Sequence, residues 1–158
     1  MTDAVLRLDR ENMEPLLNQA GFTFPEARRR ASLCRETTRL ILAAEADVLA
    51  GYLEITRDWQ NPEDLYVSSI QVDRCFRGPV VLAHLLTAAI PVLKQERFRR
   101  LNTNVSPENR VALRLCGRLG FVRGISTSRS ISLSAGMEVV DTALAVSLER
   151  RRGSCARK

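Results

Sequence analysis

The sequence predicts an α/β protein of the α+β kind, a mixed and mostly antiparallel sheet of about seven strands with helices on both faces. Three observations predict it. The run LYVSSIQV (65–72) is the clearest strand of the chain, the stretch from Pro79 to Arg97 repeats apolar residues at three and four, and RLNTNVS (100–106) reads as a strand again. Together they form one central βαβ unit, whose two strands must be parallel and joined by a right-handed crossover. TRLILAAEADVLAGYLEITRDW (38–59) holds two β-rich runs, 38–44 and 49–57, around a polar EAD turn, which predicts an antiparallel hairpin. FVRGISTSRSISL and DTALAVSLE alternate on either side of SAGMEVV and predict a closing hairpin whose last strand is 142–149.

In chain order, AVLRLD (4–9) alternates apolar with polar and reads as a first strand. RENMEPLLNQAGF reads as a helix ending at Gly21, and PEARRRASLCRE (25–36) opens on a proline suited to a first helical position. In the strand 65–72, Leu65, Val67, Ser69 and Gln71 share one face, and Tyr66, Ser68, Ile70 and Val72 share the other. The helix from Pro79 carries Val81, Leu82, Leu85, Leu86, Ala89, Val92 and Leu93 on its apolar side, and Pro91 is expected to kink or shorten it. Asn109 to Leu119 places Ala112, Leu115 and Leu119 on one face before Gly120, a natural helix end.

With 158 residues, 45% of them hydrophobic, the chain suffices for one domain over 1–149, followed by a basic tail, 150–158, expected to be disordered. No run approaches the roughly 18 to 20 apolar residues of a membrane span, and MTDAVLRLDRENME lacks a signal-peptide layout, so a soluble, cytoplasmic protein is expected. The net charge of +6 sits in EARRR, ERFRR and the tail ERRRGSCARK. With only 5% aromatic residues and no nucleic-acid-binding motif, it reads as solvated surface rather than a nucleic-acid site. Cys34, Cys75, Cys116 and Cys155 have no paired spacing and His84 is the only histidine, so neither disulfides nor a metal are expected. His84 reads as a packing residue.

Chemistry concentrates at CFRGPVV. Ligands of such sheets bind at the carboxyl ends of parallel strands, where a helix N-terminus offers free N–H groups and the positive end of its dipole. Gly78 supplies a tight turn, Pro79 starts the helix without wasting a donor, and the amides of Val80, Val81 and Leu82 face outward. Arg74 and Arg77 bracket the turn and suit phosphate. From these residues alone, an ordinary strand-to-helix turn with two solvated arginines remains an equal alternative.

VDRCFRG after a strand, then NVSPENRVALRLCGRLGF some 25 residues later, resembles the GNAT acyltransferases. The second stretch matches the family pattern N-x-x-A-x-x-x-x-x-x-L-G-F at Asn109, Ala112, Leu119, Gly120 and Phe121; the likeness covers about residues 38–149 in element order and 65–122 in motifs. It implies a GNAT-like fold whose parallel strands splay apart to hold acetyl-CoA or another acyl-CoA, and transfer of the acyl group to an unidentified amine by direct attack in a ternary complex. Ile70, Gln71 and Val72 would lie along the pantetheine, and Arg77, Gly78, Pro79, Val80, Val81, Leu82 and Ala83 at the pyrophosphate. Asn104, Asn109 and Ala112 would complete the cofactor site.

The family's R/Q-x-x-G-x-G/A becomes Arg77-Gly78-Pro79-Val80-Val81-Leu82, so valine and leucine stand where glycines let a phosphate approach closely. Cys116 stands where many members carry the tyrosine that protonates the departing thiolate, and its alternative is a small buried packing residue. No motif names the base. Glu63, Asp64 and Glu54 are the candidates, each with a solvated or turn-forming alternative, and Ser68 or Ser69 would line the acyl pocket. Acceptor choice would rest on the loops 20–37 and 125–140, which carry Glu26, Glu36 and Glu138. An exposed strand 142–149 would offer an edge for a homodimer. A second reading stays open, a degenerate GNAT-like module with weak or no CoA binding that serves as a partner-binding or regulatory domain.

Overall fold

The computed structural model describes residues 1–140 and 142–143. Its elements run α1 (Thr2–Gln19), α2 (Glu26–Leu33), β1 (Arg39–Glu45), β2 (Val48–Arg57), β3 (Leu65–Val72), a 3-10 turn (Arg74–Phe76), α3 (Pro79–Glu96), β4 (Arg100–Val105), α4 (Arg110–Arg118), β5 (Val122–Ser126) and β6 (Ile131–Gly136). The strands follow the order β1-β2-β3-β4-β6-β5. β1–β2, β4–β6 and β5–β6 are antiparallel, and β3–β4 is parallel. This is the mixed, mostly antiparallel sheet around one βαβ unit that the sequence predicts, with six strands among the described residues instead of about seven.

The missing strand is the first. AVLRLD lies inside α1, whose buried residues Val5, Leu6, Leu8 and Asp9 follow helical spacing. Six alternating residues satisfy both periods, and no breaker separates them from the helical residues that follow, so the longer element wins. The closing hairpin also shifts. FVRGISTSRSISL is two strands, because Thr127 folds its own turn. Its Oγ1 accepts from the N–H groups of Arg129 (3.2 Å) and Ser130 (3.0 Å), and its N–H donates to the Ser130 carbonyl at 2.8 Å. Hydroxyl side chains compete in this way with a strand ladder. Residues 137–140, expected as a turn, are helical. The expected strand 142–149 and the basic tail 150–158 lie outside the described residues, apart from Thr142 and Ala143, which are helical. Pro91 sits within α3, which neither ends nor shortens there.

Two compact units divide the chain. The first takes residues 1–56 and 69–88. Its core gathers Val5, Leu6 and Leu8 of α1, Leu33 of α2, and Leu49 and Tyr52 of β2. Each aliphatic side chain contributes at most about 1.5–3 kcal/mol by leaving water. The hairpin β1–β2 turns through Ala46 and Asp47, both at positive φ.

The second unit takes residues 57–68 and those from 89 on. Val105, Cys116, Ile131 and Leu133 form a cluster there, with Ala112, Leu113 and Phe121 against it. On β6 the alternation is complete and on β4 only Thr103 interrupts it: Leu101, Val105, Ile131, Leu133 and Ala135 are buried, while Arg100, Asn102, Asn104, Ser132 and Ser134 take the other face. Gly120 ends α4 at φ +79°, and a Cβ there would run into Val139 Cγ1, so glycine is the residue that fits.

Candidate functional site

β3 has a neighbour on each side in the strand order, yet only Leu65 of its eight residues is buried. A strand that pairs in parallel, as β3 does with β4, is ordinarily covered on both faces. Here Ile70, Gln71 and Val72 are half-buried as the strand runs out into the turn. β3 pairs with β4 at Leu65↔Leu101 and Tyr66↔Asn102, and then a side chain, Thr103 Oγ1, donates to the Val67 carbonyl at 3.0 Å.

Beyond β3, Asp73 caps the 3-10 turn by accepting from the Cys75 N–H at 2.8 Å, and its own N–H donates to the Ala50 carbonyl at 2.9 Å. Gly78, Pro79 and Val80 are exposed where α3 begins. The N–H groups of Val80 and Val81 belong to the first helical turn, which has no acceptors within the helix. Val81 is buried; Leu82 and Ala83 are half-buried. A Cβ at Gly78 would meet no protein atom within 4 Å, whereas at Gly51, beneath the turn, it would meet the Gln71 carbonyl at 2.7 Å. Gly51 is thus required for packing. Gly78 instead leaves open space in front of a helix N-terminus, which fits a diphosphate.

The arginines of the turn lean on α1. Arg74 donates to the Glu11 carbonyl at 2.9 Å, and Arg77 to Asn12 Oδ1 at 3.4 Å. Asn12 in turn donates to Gln71 Oε1 (3.0 Å) and to the Val72 carbonyl (3.3 Å), so one helical side chain ties the strand end to Arg77. Below it lies a buried charged network. Arg29 of α2 pairs with Asp9 of α1 at 2.6 Å and with Glu54 of β2 at 2.6 Å, and donates to the Tyr52 hydroxyl at 3.0 Å. Tyr52 donates to Asp9, and Ser69 Oγ stands 3.1 Å from the same hydroxyl. Burial first, then the neighbouring Asp9 carboxylate, pushes the Tyr52 phenol far above its usual range. Neither oxygen of fully buried Glu54 accepts a hydrogen bond of good geometry, so among the described residues its charge is met only by the Arg29 ion pair.

In the second unit, Asn109 caps α4, its Oδ1 accepting from the Ala112 N–H at 3.0 Å. Cys116 is buried among Val105, Ile131 and Leu133, and that burial raises its thiol pKa. Glu63 is exposed and pairs with Arg99 at 3.1 Å. Asp64 is buried and accepts from Asn61 Nδ2 at 3.0 Å and the Arg100 N–H at 3.1 Å, the bonding of a turn-forming carboxylate. Asn104 lines a polar cavity of about 290 Å³, with Asp58, Trp59, Tyr66, Arg100 and Asn102 among its other walls. The predicted residues therefore fall into two sets, Ile70 to Ala83 in the first unit and Glu63, Asp64, Asn104, Asn109, Ala112 and Cys116 in the second. The sequence reading did not find Asn12, Asp9, Arg29 or Asp58. The partners of Asn12, Asp9 and Arg29 are far away in the chain, and for Asp58 the nearby Gln60 N–H marks only a turn while Asn102 is distant.

A mixed sheet with one parallel pair, a half-exposed interior strand and an open glycine before a helix defines the class of protein. The model of the acetyltransferase (GNAT) family matches residues 3–121, and the chain belongs to that family, whose members use acetyl-CoA. No curated protein matches the sequence. Among solved structures, the chain is similar to PH1933 of Pyrococcus horikoshii OT3 (TM-score 0.70, 16% identity, covering 86% of this chain and 90% of that one). It is similar also to the ribosomal-protein-alanine N-acetyltransferase of Brucella melitensis (0.68, 15%, 86% and 94%). A third is the PaiA N-acetyltransferase of Thermoplasma acidophilum, solved in complex with coenzyme A (0.63, 14%, 85% and 92%). Identities this low speak for the fold. No helix among the described residues is long and apolar enough to cross a membrane.

Proposed function

We propose that this chain transfers an acetyl group from acetyl-CoA to an amine by direct attack, with the donor held along β3 and on the turn that follows. The observation that carries this reading is β3 itself, an interior strand left half-exposed and leading into an open glycine at a helix N-terminus. Backbone amides at Val80 and Val81 would take the diphosphate whatever their side chains, because the donors are main-chain groups. Val80 is 58% exposed beside them, so its side chain limits how closely the phosphate approaches. Arg77, oriented by Asn12, would add a charge-assisted contact. Ile70 and Val72 would offer main-chain groups to the pantetheine. The amine must reach the thioester uncharged, and water takes its proton if Glu63 and Asp64 keep their present partners. Cys116, buried and with a raised pKa, serves packing in this reading.

Calorimetry with acetyl-CoA and CoA tests the proposal. The unaltered chain should bind with a micromolar Kd, about −8 kcal/mol. Gly78→Ala should leave stability within about 0.5 kcal/mol, since a Cβ there touches nothing. Gly78→Glu and Arg77→Ala should each weaken CoA by about tenfold or more. Unchanged affinity in both would remove the phosphate-turn assignment. Absence of heat from the unaltered chain would favour the rival reading, a non-catalytic module, for which the exposed Val80 is the supporting observation.

A further inference from the structure

The cavity of the second unit has a chemistry that the donor reading does not use. About 290 Å³ in volume, it is lined by Asp58, Trp59 and Gln60 of the loop after β2, Tyr66 of β3, Arg100, Asn102 and Asn104 of β4, and by β5 and β6. Its size is at the lower end of ligand pockets, which run from roughly 300 to 1,000 Å³, so it suits a small molecule.

Two opposite charges face it. Asp58 is buried and held by neutral donors, the Gln60 N–H on Oδ1 at 2.9 Å and Asn102 Nδ2 on Oδ2 at 2.8 Å. Each oxygen keeps acceptor capacity, and no cation among the described residues pairs with it. Arg100 is exposed; its main-chain N–H is fixed by Asp64, while its guanidinium has no acidic partner among the described residues. Trp59 stands 85% exposed at the same cavity, an unusual place for the largest side chain of the protein. A polar sheet face facing water would explain the asparagines and serines, but not a tryptophan beside a carboxylate and a guanidinium that have no partner of opposite charge among the described residues.

We infer that this cavity binds a small amino-acid-like zwitterion, its ammonium on Asp58, its carboxylate on Arg100 and its side chain against Trp59, and that this molecule is the amine acceptor. The ammonium gives a proton to water, its nitrogen bonds to the thioester carbon, and the C–S bond breaks to release CoA as the thiolate, which water reprotonates with the second proton the nitrogen loses. The inference rests on the acetyltransferase reading for the word acceptor, and on the cavity alone for the binding. Asp58 is preorganised by its two donors, which lowers the cost of ordering it around a ligand. Arg100 offers a planar fork that matches a carboxylate.

Trp59 is the only tryptophan of the chain, so its fluorescence reports this cavity directly. The full chain is titrated with each L-α-amino acid, β-alanine and γ-aminobutyrate, and with n-propylamine and propanoate as probes of one charge each. At least one zwitterion should change the emission saturably, with single-charge probes weaker by about tenfold or more. Arg100→Ala, a surface change, should weaken the zwitterion by about tenfold while leaving CoA heat unaltered. Asp58→Asn should do the same, with circular dichroism checking its fold. Silence from every zwitterion, or equal binding by Arg100→Ala, overturns the inference. Heat with CoA but no emission change removes the cavity and leaves the donor site. Emission change without CoA heat removes the donor reading and leaves the cavity.

Discussion

Among the described residues, each compact unit buries two carboxylates, and the two pairs are compensated by different means. In the first unit, Asp9 and Glu54 share one cation, Arg29, at 2.6 Å from each. In the second, Asp58 and Asp64 accept from the main-chain N–H groups of Gln60 and Arg100 and from the amides of Asn61 and Asn102. A cation cancels charge but concentrates the dependence on one side chain, which here ties α1, α2 and β2 together. Neutral donors share the load and leave the negative charge in place, able to act on a ligand in the cavity that Asp58 lines. The first arrangement suits a scaffold beneath β3, and the second suits the ammonium site inferred for the cavity.

Removing the cation should have the largest effect. Arg29→Met leaves two buried carboxylates without their cation and should cost about 3–5 kcal/mol in urea unfolding. A loss below about 1 kcal/mol would break the comparison, because water must then reach Glu54. Asn102→Ala removes one neutral donor of several and should cost about 1–3 kcal/mol. A loss equal to that of Arg29→Met would show that the second network also hangs on a single residue.

The smallest effect is a pH dependence that sharpens the contrast. Each unit holds an acid whose proton burial protects, Tyr52 in the first and Cys116 in the second, both with raised pKa values. A raised folded value means the native state keeps a proton that the unfolded chain gives up. The stability is therefore whole below the unfolded pKa and falls as pH rises above it. Decline should begin near the ordinary thiol value of about 8.5 and steepen past the ordinary phenol value of about 10. Cys116→Ala should erase the first part alone, and a decline that still starts near the thiol value would assign it to another group.

Much of the fold was legible because its signals are local. Asn109 caps a residue three positions on, Gly120 ends the same helix, and Pro79 opens α3 after an alternating strand. Those relations span one or two turns of chain, which spacing can express. Where the reading went astray, two periods fitted the same few residues, as in AVLRLD, or a hydroxyl folded its own turn, as at Thr127. The turn around Gly78 was visible as a turn, whereas the hold of Asn12 on Gln71, Val72 and Arg77 was not. Asn12 lies about sixty residues from all three partners, and nothing in NMEP distinguishes it from a solvated asparagine.

From the chain alone come the βαβ unit, the hairpin 38–57, the helix boundaries near Pro79 and Gly120, and the family motif at Asn109 to Phe121, since each depends on neighbours within a few residues. Tertiary structure decided the rest. It made a helix of the first segment, brought Asp9, Arg29 and Glu54 into one network across forty-five residues, and left β3 half-exposed inside its sheet. It also gathered Asp58, Trp59 and Arg100 around one cavity. Charge compensation and exposure are properties of what packs against a residue, and periodicity carries no record of a partner that folding alone brings near.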